Sequence, residues 1–210
     1  MEPEHSALPD PGSELVVLIP IKDFRQAKHR LAGRLEPDER ETLARSMAAK
    51  VIAAADGLDV RVVCSDPAVA EWARSCGAGV EWVEVEGLNP AIEAAARQVG
   101  RSAQQILVCH ADLPHARSLH GLARSATVTI VPDRHHEGTN VLVVPADAGF
   151  RFQYGPGSLQ SHVAEALRLG LDVEIRQIPD LQWDVDTPED LDGTESRPTA
   201  EQPHTDGGIR

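Results

Sequence analysis

Asp184 and Asp186 stand at alternate positions of a short segment, beginning at Trp183, that ends directly before Thr187-Pro188. If that segment is extended, both carboxylates point the same way, and they repel each other unless a cation holds them together. Mg²⁺ prefers oxygen ligands and usually takes only one or two carboxylates from a protein. Thr followed by Pro is typical of a helix start and needs no chemical explanation. The two aspartates therefore predict a hard divalent cation, Mg²⁺ or Mn²⁺, in front of a helix.

A third aspartate, Asp112, follows the apolar strand pattern Gln105–Cys109 by three residues. It is distant from Asp184 in sequence, so only the fold can bring the two together. Because a divalent cation gives several carboxylates a reason to converge, Asp112 could reach the same ion.

The first predicted loop is strongly basic. Lys22, Arg25, Lys28 and Arg30 fall within nine positions, directly after the apolar run Leu15–Ile21. The chain has three lysines against 17 arginines, and two of the three are in this loop. A solvated basic loop explains the charge alone equally well, but its position after the first strand favours a polyphosphate site. No Gly-x4-Gly-Lys or Gly-x-Gly-x-x-Gly motif is present, so side chains and a metal would have to hold the phosphates.

Two glycine-containing turns form the third signal. Glu137-Gly138-Thr139-Asn140 precedes a strand pattern, and Tyr154-Gly155-Pro156-Gly157 runs into a helix pattern at Ser158. A helix start with free backbone N–H groups and a hydroxyl is suited to bind an anion. A plain turn with a serine cap explains the same residues without a ligand.

Strand and helix patterns alternate between these signals. Val60–Cys64, Val80–Val85, Thr127–Val131, Val141–Val144 and Val173–Ile178 are predicted strands, in addition to Leu15–Ile21 and Gln105–Cys109. Four helices are predicted. The first begins at Pro37, and the others are Pro67–Ala78, Asn89–Val99 and Ser158–Leu169. This order predicts a mostly parallel mixed sheet with helices on both faces. Ligands bind beyond the carboxyl ends of such strands, where Lys22, Ser65, Asp112 and Asp184 are expected.

Composition limits the classes of function. At 210 residues the chain fits one domain, which we place at residues 15–192 between tails, 1–14 and 193–210, that we expect to be disordered. Much of the net charge of −13 falls in those ends: residues 1–14 carry four acids and no lysine or arginine, and residues 187–210 carry six acids against two arginines. An acidic chain without a long apolar run argues against nucleic-acid and membrane partners.

The three cysteines, Cys64, Cys76 and Cys109, fall on apolar patterns and are odd in number. They are interpreted as buried thiols in a reducing cytoplasm. His135 and His136 are interpreted as an exposed pair, since neither they nor His110 have a third ligand at zinc spacing. His162 fits either helix packing or a substrate contact.

Six motifs in order resemble the 2-phospholactate/phosphoenolpyruvate guanylyltransferases of deazaflavin coenzyme (F420) biosynthesis. They are Pro20–Leu31, Gly87–Asn89, Asp112–Pro114, Gly138–Asn140, Tyr154–His162 and Asp184–Leu191. This family is similar to the molybdopterin guanylyltransferases. The resemblance implies a single Rossmann-like nucleotidyltransferase domain, related to the nucleotide-diphospho-sugar transferases.

The resemblance also implies an activity: transfer of GMP from GTP to the phosphate of a small phosphorylated acid, with release of pyrophosphate. Phosphoenolpyruvate is the favoured acceptor. The Arg- and Ala-rich, Lys-poor composition resembles that of actinobacteria, in which the resemblance implies that the family uses this acid. 2-Phospho-L-lactate and 3-phosphoglycerate remain alternatives. A contact with the next transferase of the pathway and a homo-oligomer are left open.

The resemblance assigns roles to individual residues. Asp112, Asp184 and Asp186 would bind Mg²⁺. GTP would be bound by Lys22, Lys28, Arg30 and Asn89, and the phosphorylated acid by Thr139, Gly155 and Ser158. Lys22, Lys28 and Asp112 would be the catalytic set. The attacking phosphate oxygen is already ionised at neutral pH, so no general base is expected, and charge stabilisation is the main task.

Two other classes remain open. Asp-x-Asp after a Rossmann-like sheet also describes glycosyltransferases that hold a sugar nucleotide through Mn²⁺, although the basic loop fits a triphosphate better than a diphosphate sugar. A non-catalytic nucleotide-binding module is disfavoured by the three aspartates. Neither class releases pyrophosphate from GTP.

Overall fold

The computed structural model describes residues 15–194 of the chain. The predicted tails lie outside this range, except for residues 193 and 194, which end the last helix. Seven strands form one sheet in the order β3-β2-β1-β4-β6-β5-β7. The strands are β1 (Leu15–Pro20), β2 (Asp59–Cys64), β3 (Gly79–Trp82), β4 (Gln105–Cys109), β5 (Thr127–Pro132), β6 (Thr139–Pro145) and β7 (Asp172–Ile175).

The sheet is mostly parallel, as predicted. Strands β3, β2, β1 and β4 pair in parallel, and β5 pairs in parallel with β7. Only β6 is reversed, and it lies antiparallel between β4 and β5. Its reversal follows from the short β5–β6 connection, because a hairpin of this length can only join antiparallel strands. Asp133 closes that turn by accepting the N–H groups of Glu137 (3.0 Å) and Gly138 (2.9 Å).

Helices cover both faces of the sheet, as predicted. They are α1 (Pro37–Ala54), α2 (Pro67–Ser75), α3 (Leu88–Val99), α4 (Ser158–Arg168), α5 (Pro179–Gln182) and α6 (Pro188–Thr194). Residues of α1 and α2 pack in one apolar core, and residues of α3 and α4 pack in the other. Along β1, Val17 and Ile19 enter the first core while Val16 and Leu18 enter the second. This two-sided burial explains why the strand has an uninterrupted apolar sequence.

Several elements end earlier than their patterns predict. Helix α2 ends at Ser75 and not at Ala78, because Gly77 has a φ of 81° and the Ala78 N–H returns to the Ala73 carbonyl (3.0 Å). This is a Schellman cap, which glycine favours. β3 ends at Trp82, before the predicted Val85. β7 ends at Ile175, and Pro179 opens the short α5, which the sequence does not predict.

No helix in residues 15–194 is long and apolar enough to cross a membrane. The three cysteines are free thiols; Cys64 and Cys109 are buried, whereas Cys76 is partly exposed.

Candidate active site

The carboxyl ends of β1, β2 and β4 open onto two adjoining cavities. One, of about 460 Å³, is lined by Lys22, Lys28, His110 and Asp112, among others. The other, of about 700 Å³, extends past Lys22 towards the β2 and β3 ends and the start of α3. Both cavities share Pro20, Ile21, Lys22 and Leu88. The fold therefore brings the basic loop and Asp112 to one edge of the sheet, as expected for ligands of a parallel sheet.

The basic loop folds into two 3₁₀ turns, Phe24–Gln26 and His29–Leu31. Phe24 is buried and packs edge-on against Trp72, with ring centroids 4.7 Å apart. Lys28 joins the two turns in a left-handed conformation, with φ 56° and ψ 39°. Such a conformation is uncommon for a residue other than glycine and persists only where the surroundings enforce it. The loop is thus a shaped element that aims the Lys28 side chain.

Lys28 bridges two of the predicted metal ligands. Its Nζ lies 2.5 Å from Asp112 Oδ2 and 2.9 Å from Asp186 Oδ1, and only 10% of its side chain is exposed. Burial alone would lower the pKa of Lys28, but the charges of Asp112 and Asp186 outweigh it and raise that pKa. The ammonium is therefore held in its charged form between two carboxylates.

Asp112 and Asp184 have opposite electrostatic environments. Burial would raise the pKa of Asp112, but the Lys28 charge lowers it. The pKa of Asp184 is raised, first by burial and then by the charge of Asp112. The nearby Asn140 side chain counteracts part of that rise. Asp184 is therefore the carboxylate whose negative charge is least compensated.

These residues fit a hard cation, although they do not form a finished metal cage. Within residues 15–194 no group of three or more His, Cys, Asp or Glu side chains is arranged to hold a metal ion. However, Asp112 Oδ1 is buried without a hydrogen-bond partner, and the charge of Asp184 is disfavoured. Asp112 and Asp184 each provide a carboxylate oxygen, the ligand that Mg²⁺ prefers.

The segment that carries Asp184 and Asp186 leads directly into α6. Helix α6 begins at Pro188, as predicted. Asp190 accepts the Thr187 N–H (2.6 Å), as the third helical residue does in a capping box. The Val185 N–H donates to the Asp112 carbonyl (3.3 Å), which joins this segment to the end of β4.

Thr139 and Ser158, the predicted acceptor ligands, are both buried next to His162. Thr139 is 1% exposed and Ser158 is 2% exposed. His162 Nε2 accepts the Gln153 N–H at 3.0 Å, so Nδ1 carries the proton of the neutral ring and donates to Thr139 Oγ1, also at 3.0 Å. Burial lowers the pKa of His162 to about 4, and His110 adds to that effect. The ring is therefore neutral, and the Thr139 hydroxyl keeps its own proton to donate.

The prediction of free N–H groups at the start of α4 is wrong for the first two residues of the helix. The Ser158 N–H donates to the Gly155 carbonyl and the Leu159 N–H to the Glu137 carbonyl, both at 3.1 Å. The second partner comes from the β5–β6 turn, so no local pattern could indicate it. Gly155 is compatible with an open pocket, since it has a φ of 132° and nothing lies within 4 Å of the position a Cβ would take.

Two residues predicted to bind GTP are less engaged than expected. Arg30 lies 3.9 Å from Asp186, with 76% of its side chain exposed. The Asn89 side chain is hydrogen-bonded to the backbone of Tyr154, accepting its N–H (2.7 Å) and donating to its carbonyl (3.0 Å). Asn89 therefore fixes the glycine-rich turn beside the cavities. Arg25 is exposed and pairs with Asp23 and Asp66.

His110 joins the two parts of the site, which the sequence did not indicate. Its ring lies 5.1 Å from that of Tyr154, and the Tyr154 ring lies 4.8 Å from that of His162. His110 Nε2 and Tyr154 Oη are buried without hydrogen-bond partners in the described structure. His135 and His136 are exposed, as predicted.

The family comparison covers the whole described domain. A model of the family described as "Guanylyl transferase CofC like" matches residues 15–194. Proteins named phosphoenolpyruvate guanylyltransferase are similar over most of their length. That of Roseiflexus castenholzii is 37% identical, with 85% of this chain and 86% of the relative covered. That of Rubrobacter xylanophilus is 36% identical, with 83% and 90% covered, and that of Conexibacter woesei is 38% identical, with 83% and 84% covered.

Solved structures share the fold at low sequence identity. A nucleotidyl transferase from Methanothermobacter superposes with a TM-score of 0.60 at 15% identity, with 87% of this chain and 96% of that chain covered. A 4-diphosphocytidyl-2C-methyl-D-erythritol synthase from Anaerococcus prevotii gives a TM-score of 0.58 at 10% identity, with the same coverage. These similarities establish the nucleotidyltransferase fold, and the sequence relatives carry the functional information.

Proposed function

This chain belongs to the family of CofC-like guanylyl transferases, and on that premise we propose that it transfers GMP from GTP to the phosphate of phosphoenolpyruvate. The products are enolpyruvoyl-2-diphospho-5′-guanosine, which is an intermediate of F420 biosynthesis, and pyrophosphate, which is the by-product. The relatives named for phosphoenolpyruvate support this acceptor, and 2-phospho-L-lactate is the alternative. The observation that carries the proposal is the Lys28 bridge between Asp112 and Asp186, beside a cavity large enough for a nucleotide.

Lys22, Lys28 and Arg30 are proposed to hold the GTP triphosphate. Lys22 lines both cavities, so it can meet phosphates that extend from one into the other. Lys28 is held at the carboxylates, and exposed Arg30 can turn towards an anion that approaches Asp186. Lysine acts on phosphate as a compact point charge. The base would occupy the cavity near Leu88, and Asn89 would shape its wall through Tyr154.

Asp112, Asp184 and Asp186 are proposed to hold Mg²⁺. When bound, the ion would neutralise charge on the triphosphate and the leaving pyrophosphate. The three aspartates would hold that positive charge at the end of β4. Lys28, which pairs with both Asp112 and Asp186 in the structure, would then be available to the phosphates as well.

Thr139, Gly155 and Ser158 are proposed to bind the phosphorylated acid. Thr139 presents a hydroxyl proton, because His162 already donates to its oxygen. An oxygen of the acceptor phosphate forms a bond to the α-phosphorus of GTP, the bond from that phosphorus to the bridging oxygen of the β-phosphate breaks, and pyrophosphate leaves with the electron pair. The attacking oxygen is ionised at neutral pH, so no proton has to be removed.

A substrate panel tests this function. Purified protein with Mg²⁺ is offered GTP, ATP, CTP or UTP, each with phosphoenolpyruvate, 2-phospho-L-lactate or 3-phosphoglycerate, and pyrophosphate is measured. We expect pyrophosphate from GTP with phosphoenolpyruvate and little from the other nucleotides. Equal turnover of ATP and GTP would overturn the guanine preference. Absence of pyrophosphate in every combination, with transfer from a nucleotide sugar instead, would support a glycosyltransferase.

A further inference from the structure

Arg134 lies in the turn between β5 and β6, and its guanidinium contacts three parts of the segment that carries Asp184 and Asp186. Its Nη2 pairs with Asp190 Oδ1. Its Nη1 donates to the backbone carbonyl of Asp184 (3.3 Å). Its guanidinium carbon lies 4.3 Å from the centre of the Trp183 ring. A planar guanidinium can make these contacts together, whereas an ammonium cannot.

Asp190 completes the arrangement from the helix side. Its side chain is 4% exposed, and its second oxygen accepts the N–H of Asp186 (2.8 Å) as well as that of Thr187. Through one ion pair, the Asp184 carbonyl and the Asp186 N–H are therefore both fixed. These two groups flank Val185, which is fully buried in a small cluster with Leu31 and Met47.

We propose that Arg134 and Asp190 form a clamp that sets the relative positions of the Asp184 and Asp186 carboxylates, as positioning residues for cation binding. This inference rests on the proposed function, because it takes those two aspartates as metal ligands. The clamp fixes the backbone on both sides of Val185, so it limits the directions of the Asp184 and Asp186 side chains that flank Val185. Groups that orient metal ligands in this way commonly change metal affinity by about 10- to 100-fold when they are removed.

The clamp also explains a close contact at the end of α6. A Cβ at Gly193 would overlap the Trp183 ring, so only glycine lets the helix approach the ring on which Arg134 stacks. The ring, the guanidinium and α6 therefore hold one another in place.

Three variants and one control test the clamp. Arg134→Gln removes the charge, Arg134→Lys keeps it without the planar fork, and Asp190→Asn keeps an acceptor oxygen without the charge. Arg34→Gln is the matched control, because Arg34 also pairs with an acid of α6, Asp192, at 2.8 Å, but on an exposed surface. Mn²⁺ affinity without nucleotide is measured by titration with paramagnetic resonance detection, together with kcat, the KM for GTP and the melting temperature.

We expect Arg134→Gln and Asp190→Asn to weaken Mn²⁺ binding by about 10-fold or more and to lower kcat, with the KM for GTP changed much less. Arg134→Lys should fall between them and the wild type, and it carries the test if Arg134→Gln does not fold. The control should match the wild type. A lower melting temperature with unchanged Mn²⁺ affinity and kcat would reduce the clamp to a structural role and overturn the proposal. A wild-type enzyme that binds Mn²⁺ but makes no pyrophosphate would instead refute the proposed function.

Discussion

The two sides of the candidate site are built from different interactions. On the carboxylate side, Lys28, Asp112, Asp184 and Asp186 form a charged group in which one cation serves two anions. On the hydroxyl side, Thr139, Ser158 and His162 are buried and uncharged, and His162 is hydrogen-bonded to Thr139. His110 and Tyr154 lie between them.

This difference indicates a division of work. Carboxylate charge that is incompletely neutralised attracts a metal ion, and that ion together with Lys28 would attract the polyphosphate and stabilise the charge that moves during the reaction. Neutral donors in a dry pocket select an anion by shape and hydrogen bonding with a smaller electrostatic effect. Substitutions on the carboxylate side should therefore change kcat, and those on the hydroxyl side should change the acceptor KM or stability.

The largest effect is expected from Asp112→Asn. The substitution keeps the size and one acceptor oxygen but removes a charge from the proposed metal site, so kcat should fall by about 100-fold or more. The melting temperature should change little. Lys28 keeps its ion pair with Asp186, and Asp184 loses the repulsion of the neighbouring Asp112 charge. Pyrophosphate release and the melting temperature measure the two effects. A melting temperature lowered by several degrees with intact GTP turnover would make Asp112 a structural turn residue.

Lys28→Met should have the next largest effect. Loss of the ammonium leaves Asp112 and Asp186 facing each other, so the metal-free protein should lose about 3 kcal/mol of unfolding free energy and turnover should fall by about 10- to 100-fold. Mg²⁺ should restore part of the lost stability. Urea unfolding with and without Mg²⁺ checks this.

Lys50→Met is the control for Lys28, because Lys50 donates to the Pro114 carbonyl (3.2 Å) outside the carboxylate group. Equal losses in the two variants would show that the Lys28 bridge has no special role.

His162 should make stability depend on pH. Its pKa is about 4 in the folded protein, against 6.5 when unperturbed, so between these values the unfolded chain binds more protons. Stability is therefore lost as the pH falls from 6.5 towards 4, by up to about 3 kcal/mol from this residue. Urea unfolding at pH 7 and pH 4.5 should show a smaller difference for His162→Gln than for the wild type. The same difference in both proteins would mean that His162 already titrates normally in the fold.

The smallest effect is expected from Ser158→Ala. Ser158 is buried, and no heavy atom lies within 4 Å of the position a Cβ would take at nearby Gly155. Removing the hydroxyl should raise the acceptor KM by roughly 3- to 10-fold and leave the KM for GTP unchanged. Ser161→Ala, one turn further along α4, is the control. An unchanged acceptor KM in both variants would place the acceptor elsewhere.

The meeting of Lys28, Asp112 and Asp186 at one edge of the sheet was largely predictable from sequence. Strand ends, residue charge and the spacing of Asp184 and Asp186 are local properties, and the parallel sheet brings such ends together. The fold class follows from the same alternation of strands and helices. The position of β6 between β4 and β5 did not follow, because strand order depends on packing between distant segments.

The hydroxyl side and the clamp were less predictable, since both depend on contacts between segments that are distant in sequence. The Leu159 N–H finds its partner at Glu137, and His162 finds Thr139 across the core. Arg134 in the β5–β6 turn and Asp190 in α6 are 56 positions apart, and no periodic pattern connects them.

The central claim is that an oxygen of the acceptor phosphate attacks the α-phosphorus of GTP. Phosphoenolpyruvate labelled with ¹⁸O in its phosphate can be incubated with GTP, Mg²⁺ and the enzyme, and the products followed by ³¹P NMR. The account predicts an isotope shift on the GMP-derived phosphorus of a new diphosphate, and pyrophosphate without label. Formation of GDP, or a diphosphate whose GMP-derived phosphorus shows no shift, would contradict it.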